Sequence, residues 1–170
     1  MTDGVRNTLR MNDLGLLVVR GALGLAMAAH GAQKLFGWFG GFGLEGTAGF
    51  FETLGFQPGI LFAAAAGTGE LVGGLLIVLG LLGVVGPAIV VGVMLVAIVS
   101  VHLPNGFFAA SNGYELPLIY GVVAVTLALV GFGRYALDQK LNLALLRRPV
   151  AVAGAMSATI VGAVMSVVVR

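Results

Sequence analysis

Cysteine is absent from the 170-residue chain, which excludes disulfides, a thiol redox relay, Cys-ligated zinc and iron–sulfur clusters. Charge is scarce too: Asp, Glu, Lys and Arg together make up 9% of the residues, against about 25% in a soluble domain. The nine basic residues are scattered, several of them inside apolar runs. They form no exposed basic face for nucleic acid, despite a net charge of +2. Apolar residues are abundant instead, at 59% of the chain, with a mean hydropathy of +1.06. An ordinary soluble enzyme, a disordered tail and a nucleic-acid-binding module are therefore excluded. The composition indicates a small all-α integral membrane protein whose apolar mass faces the lipid bilayer.

A helix crosses the ~30 Å hydrocarbon core with about 20 apolar residues. Five stretches qualify: residues 14–39, 60–82, 84–103, 115–132 and 150–169. Pro58, Pro87, Pro104, Pro117 and Pro149 fall before a span, after one, or near its start, where a missing N–H is tolerated. The expected architecture is an all-α membrane bundle, with its first four spans within residues 1–140. A short cytoplasmic linker and a fifth transmembrane helix follow over 141–170.

Basic residues set the expected orientation. Arg6 and Arg10 precede the first span, and Arg134, Lys140, Arg147 and Arg148 follow the fourth. Loops 45–52 and 105–112 hold no Lys or Arg, and only Arg170 lies beyond the last span. The N-terminus and residues 134–148 should thus be cytoplasmic, with the two aromatic loops outside. Ala26-Met27-Ala28 fits a signal-peptide cleavage site, but Arg20 interrupts the apolar region before it and the periodic pattern continues past it, which argues for retention. Residues 47–54 should form a short interfacial helix with Glu45 and Glu52 in water.

Small residues allow close helix approach in lipid. Gly24, Ala28 and Ala32 recur four apart in the first span, and Ala65, Gly69 and Gly73 in the second. The last span carries Gly154, Ala158, Gly162 and Ser166 in phase. This ladder reads as a packing face, whose partner is this bundle, another copy or a different subunit.

Ionisable residues inside a membrane are costly and are functional candidates by default. Arg20, Met27, His30, Gly31 and Lys34 share one stripe of the first helix. Arg20 reads as structural. Glu70 falls near mid-membrane and must be protonated or paired with His30, Lys34 or Arg20; a buried hydrogen bond between helices and a proton-handling role fit equally. His102 ends the third span and Glu115 opens the fourth, at the same outer boundary as His30 and Lys34. Four stretches thus deliver ionisable groups to one side of the membrane. Arg134 and Asp138, four apart, suggest an ion pair closing a helix end, with Arg20 as a further partner for Asp138.

Six stretches carry a family resemblance: R-G-A-L-G at 20–24, H-G-A-Q-K-L-F-G at 30–37, G-T-G-E-L-V-G-G at 67–74, H-L-P-N-G-F-F at 102–108, N-G-Y-E-L at 112–116 and G-F-G-R-Y-A-L-D at 131–138. In this order they resemble the DoxX family of small bacterial membrane proteins. The resemblance implies a four-helix bundle in the bacterial inner membrane and an association with redox systems. Related DoxD-type proteins are membrane subunits of thiosulfate:quinone oxidoreductases, and other relatives are linked to oxidative-stress complexes. Residues beyond Lys140 lie outside the usual pattern.

The leading expectation is a membrane subunit of a quinone-linked oxidoreductase complex. His30, Lys34, Glu70, His102 and Glu115 are the candidate quinone site, and Glu70 and Glu115 are the candidate proton-handling pair. Electrons would come from a partner or from directly bound substrate, because no flavin or iron–sulfur motif is present. The alternative is a non-catalytic structural or assembly subunit that docks through its fifth helix. A carrier for a small anion, with Arg20 and Lys34 lining the route, is a third idea. Two histidines are weak grounds for haem, and neither haem nor a metal site is expected.

Overall fold

The computed structural model describes residues 3–141 and 149–168. Arg147, Arg148, Arg170, Val169 and most of the linker after Lys140 lie outside these residues, as does the side chain of Arg6. No strand occurs among the described residues. The helices are α1 (Asp3–Phe36), α2 (Gly43–Thr53), α3 (Gly59–Leu79), α4 (Val85–Ala97), α5 (Glu115–Val130), α6 (Leu137–Lys140) and α7 (Pro149–Val168). Four stretches are long and apolar enough to cross a membrane: Asn7–Phe36, Gly59–Leu79, Val85–Asn105 and Val150–Val168. The fold is an all-α membrane bundle, with α5 a shorter apolar helix of 16 residues.

Helix ends fall where the backbone chemistry puts them. Gly37, at φ 70°, stops α1 before the aromatic residues that hydropathy assigned to it. A Schellman motif closes α3: Gly80, at φ 64°, donates to Ile77 O and Leu81 donates to Leu76 O. The turn that follows is short, so α3 and α4 run antiparallel. α4 continues through a π-helical turn, Ile98–His102, and a 3-10 turn, Leu103–Asn105. The short helix expected over residues 47–54 is α2, which begins earlier, at Gly43, and leaves Glu45 and Glu52 exposed.

Packing follows the glycines. Gly24 lies against Gly74 and Val78, and Gly31 against Gly67 and Leu71, so α1 and α3 touch backbone to backbone. Gly69 and Gly73 face α4 instead, against Ile89, Val90 and Val93. α7 lies on the outside of α4, with only 6% of its apolar window buried against 33–39% in the other spans. The face it turns inward is Val152, Ala155, Met156, Thr159 and Ala163, with Thr159 seated over Gly92. The expected ladder makes no close helix contact in this bundle: a side chain added at Gly154 would meet nothing within 4 Å, and Gly162 and Ser166 border the bundle's cavity.

The close-packed core gathers at one end. Leu23, Met27, Ile77, Val90, Met94, Leu127 and Phe132 are buried together. Arg20 closes this end. It is 3% exposed, and its guanidinium donates to Phe132 O at 3.1 Å and to Tyr135 O at 2.7 Å. Arg20 therefore binds the segment after α5 to α1 as a structural staple.

Asp138 works beside it. Its carboxylate accepts the N–H groups of Leu82 (2.9 Å) and Gly83 (2.7 Å), and its own N–H donates to Gly80 O. Leu82 sits at φ 59°, costly for a non-glycine residue, and these bonds hold it there. The expected helical spacing of Arg134 and Asp138 fails because Gly131 ends α5 and the chain turns before α6. Arg134 meets Asp13 instead, through its backbone N–H at 2.9 Å and its Nε at 3.9 Å.

Candidate functional site

The opposite half of the bundle is hollow. A cavity of about 540 Å³ opens above Met27 and Met94, which belong to both the core and the cavity floor. Helices α1, α2, α3, α4, α5 and α7 all contribute to its walls, which are mostly apolar. Three of the expected site residues, His30, Lys34 and Glu70, enter it from α1 and α3, and His102 enters from the end of α4.

Within it lies one close ion pair. Lys34 Nζ is 2.6 Å from Glu70 Oε2, with side-chain exposures of 29% and 4%. Among the three partners considered for Glu70, the fold selects Lys34. The close α1–α3 packing produces this contact: the glycines at 31 and 67 draw the two backbones together, and the Lys34 chain reaches down past Gly67. Thr47 of α2 donates its hydroxyl proton to Lys34 O at 3.3 Å and so ties the interfacial helix to the same residue.

The histidines have local partners. His30 Nδ1 lies 3.1 Å from Gln33 Oε1, and its ring is 6.2 Å from that of Tyr120. His102 Nδ1 lies 2.7 Å from Asn112 O. A carbonyl can only accept, so this contact puts the proton on Nδ1 and leaves Nε2 as an acceptor in the neutral ring. Glu115 is placed differently. Its Oε2 accepts the Ala109 N–H at 2.8 Å and holds the loop before α5, and Glu115 is not among the residues lining the cavity. Arg20, midway along α1, does not line it either, so this cavity does not join Arg20 to Lys34 as the carrier idea expected. Among the described residues, no three His, Asp or Glu side chains gather in a way that could hold a metal ion.

The DoxX family model matches residues 15–103, a little over half of the chain. The chain belongs to the DoxX family. Comparison with curated proteins and with solved structures gave no match. The DoxX match takes in the Arg20 staple, the Lys34–Glu70 pair and His102, whereas the walls supplied by α5 and α7 lie outside it.

Two groups in the cavity were missed when only charge was followed. Ser100 is the one hydroxyl residue in the apolar run 88–101, and Tyr120 stands among apolar residues of α5. A lone polar residue in such a run was the available signal for both.

Proposed function

We propose that this DoxX protein binds a lipid-soluble quinone in the cavity and acts as the quinone-interacting membrane subunit of an oxidoreductase complex. The proposed setting is a bacterial inner membrane, with the N-terminus in the cytoplasm and the cavity toward the outer face. The observation that carries this reading is the Lys34–Glu70 pair standing in a mostly apolar cavity. A quinone needs an apolar slot for its ring and tail, a donor for its carbonyl oxygens and a proton route. It supplies reversible two-electron, two-proton chemistry when bound.

The chain's own groups fit those needs. Lys34 carries three N–H donors; Glu70 occupies one, and the others are able to reach a ligand oxygen. Glu70 is the proton-holding group, kept in place by the ammonium. His30 and His102 stand on the same cavity as further donors or acceptors. Electrons enter from a partner subunit or a directly bound substrate.

Lipid extraction and quinone analysis of the protein purified in its native lipid tests this reading. The intact chain should carry quinone, and Glu70→Gln should bind it about tenfold more weakly, the loss expected for a charge-assisted hydrogen bond. A purified chain devoid of quinone overturns the reading. Unchanged binding in Glu70→Gln removes only that residue's role.

One observation favours a structural or assembly role as a second reading. The small-residue ladder of α7 is exposed at Gly154 and Ala158, away from the cavity, as a docking face for another membrane helix would be. On this reading Gly154→Leu detaches a partner subunit during purification from native membranes while quinone content stays the same. Retention of every partner by that variant argues against it.

A further inference from the structure

We propose that Ser100 is the hydroxyl that recognises a carbonyl oxygen of the cavity's ligand. The proposal rests on the quinone reading above and adds a hydroxyl on α4 to the polar groups of the site.

Hydroxyls in apolar helices usually turn back onto a carbonyl of their own helix. Thr8 and Thr126 do so, bonding Gly4 O and Val122 O, and Ser166 bonds Ala163 O. Ser100 does not. Its residue is 9% exposed, and its Oγ is buried with no hydrogen-bond partner among the described residues. Ser100 also lines the cavity. A buried hydroxyl left unpaired in an apolar wall weakens the protein, so its presence there calls for something the rest of the fold does not supply.

The backbone around it points the same way. Ser100 sits in the middle of the π-helical turn Ile98–His102, the single widened turn in α4. Such turns concentrate at functional sites. The wider turn slows the rotation of side chains about the axis. Ala97, Ser100, Val101 and His102 all border the cavity from this stretch. Ser100 on α4 and the Lys34–Glu70 pair on α1 and α3 thus belong to different helices bordering one space. Polar groups presented from different helices of one mostly apolar cavity suit a flat apolar ring with an acceptor at each end. A lipid with a single polar end would leave one of them unmet.

The test uses the full chain in lipid nanodiscs with a quinone carrying carbon-13 at its carbonyls. In the intact protein the two carbonyl stretches should both fall below their frequency in lipid, by unequal amounts. Ser100→Ala should bind about three- to tenfold more weakly, the loss of one neutral hydrogen bond. One carbonyl band should then return to its frequency in lipid, and Ser100→Thr should keep both bands lowered. The ligand-free Ser100→Ala protein should melt no lower than the intact one, because no bond within the fold is removed. A lower ligand-free melting point would make Ser100 a structural residue and overturn the inference. Equal affinity with both bands unmoved in Ser100→Ala would overturn it too, while leaving the quinone reading intact. Absence of quinone binding by the intact chain would overturn both.

Discussion

Arg20→Ala should lower the unfolding free energy of the lipid-embedded chain by about 3–5 kcal/mol, measured by denaturant titration with helix content as the signal. Two charge-assisted bonds disappear, at about 1.5–3 kcal/mol each, and the carbonyls of Phe132 and Tyr135 lose their partner in a buried setting. The segment that carries Asp138 then keeps its exposed Arg134–Asp13 contact but loses its buried tie to α1, so the turn after α3 loosens with it. Arg20→Lys should recover less than half of the loss, because one ammonium cannot serve two carbonyls in the fixed fork of a guanidinium. A change below about 1 kcal/mol, the range of an exposed contact, would remove Arg20 from its role as the staple.

Lys34→Met should be the second most damaging substitution, and more damaging than Glu70→Gln. The two side chains differ in access, at 29% and 4% exposed. Removing the lysine strands a carboxylate that has almost no contact with solvent, and breaking a buried pair in this way costs about 3–5 kcal/mol. Removing the charge on Glu70 strands an ammonium whose longer and more exposed stem finds other partners, at lower cost. The double variant Lys34→Met/Glu70→Gln should regain most of the stability lost by Lys34→Met, because neither charge is left alone. A double-mutant cycle measures this directly as a coupling energy. Additive losses would show that the two groups act independently and that the 2.6 Å contact carries no weight.

The reading of Arg20 as structural anticipated its role but not its partners. Those partners are backbone carbonyls 112 and 115 positions away, and a carbonyl carries no residue type that a sequence pattern could reveal. Asp138 was paired by spacing with Arg134, on the assumption that a helix continued there. A glycine at φ 85° and the turn after it place the two residues differently, and Asp138 accepts backbone N–H groups of the α3–α4 turn. His102 and Glu115 were correctly placed at one end of the bundle. Only His102 borders the cavity, because Glu115 caps a loop N–H six residues before it.

The sequence alone determined the all-α membrane class and where the apolar helices lie. Hydropathy, glycine and proline act within a few residues along the chain, and a helix in lipid must satisfy its own backbone. Tertiary structure decided which titratable groups meet. The choice of Lys34 for Glu70, the inward face of α7 and the unpartnered hydroxyl of Ser100 depend on helix rotation and on one widened turn, and these are set by packing between segments distant in the chain.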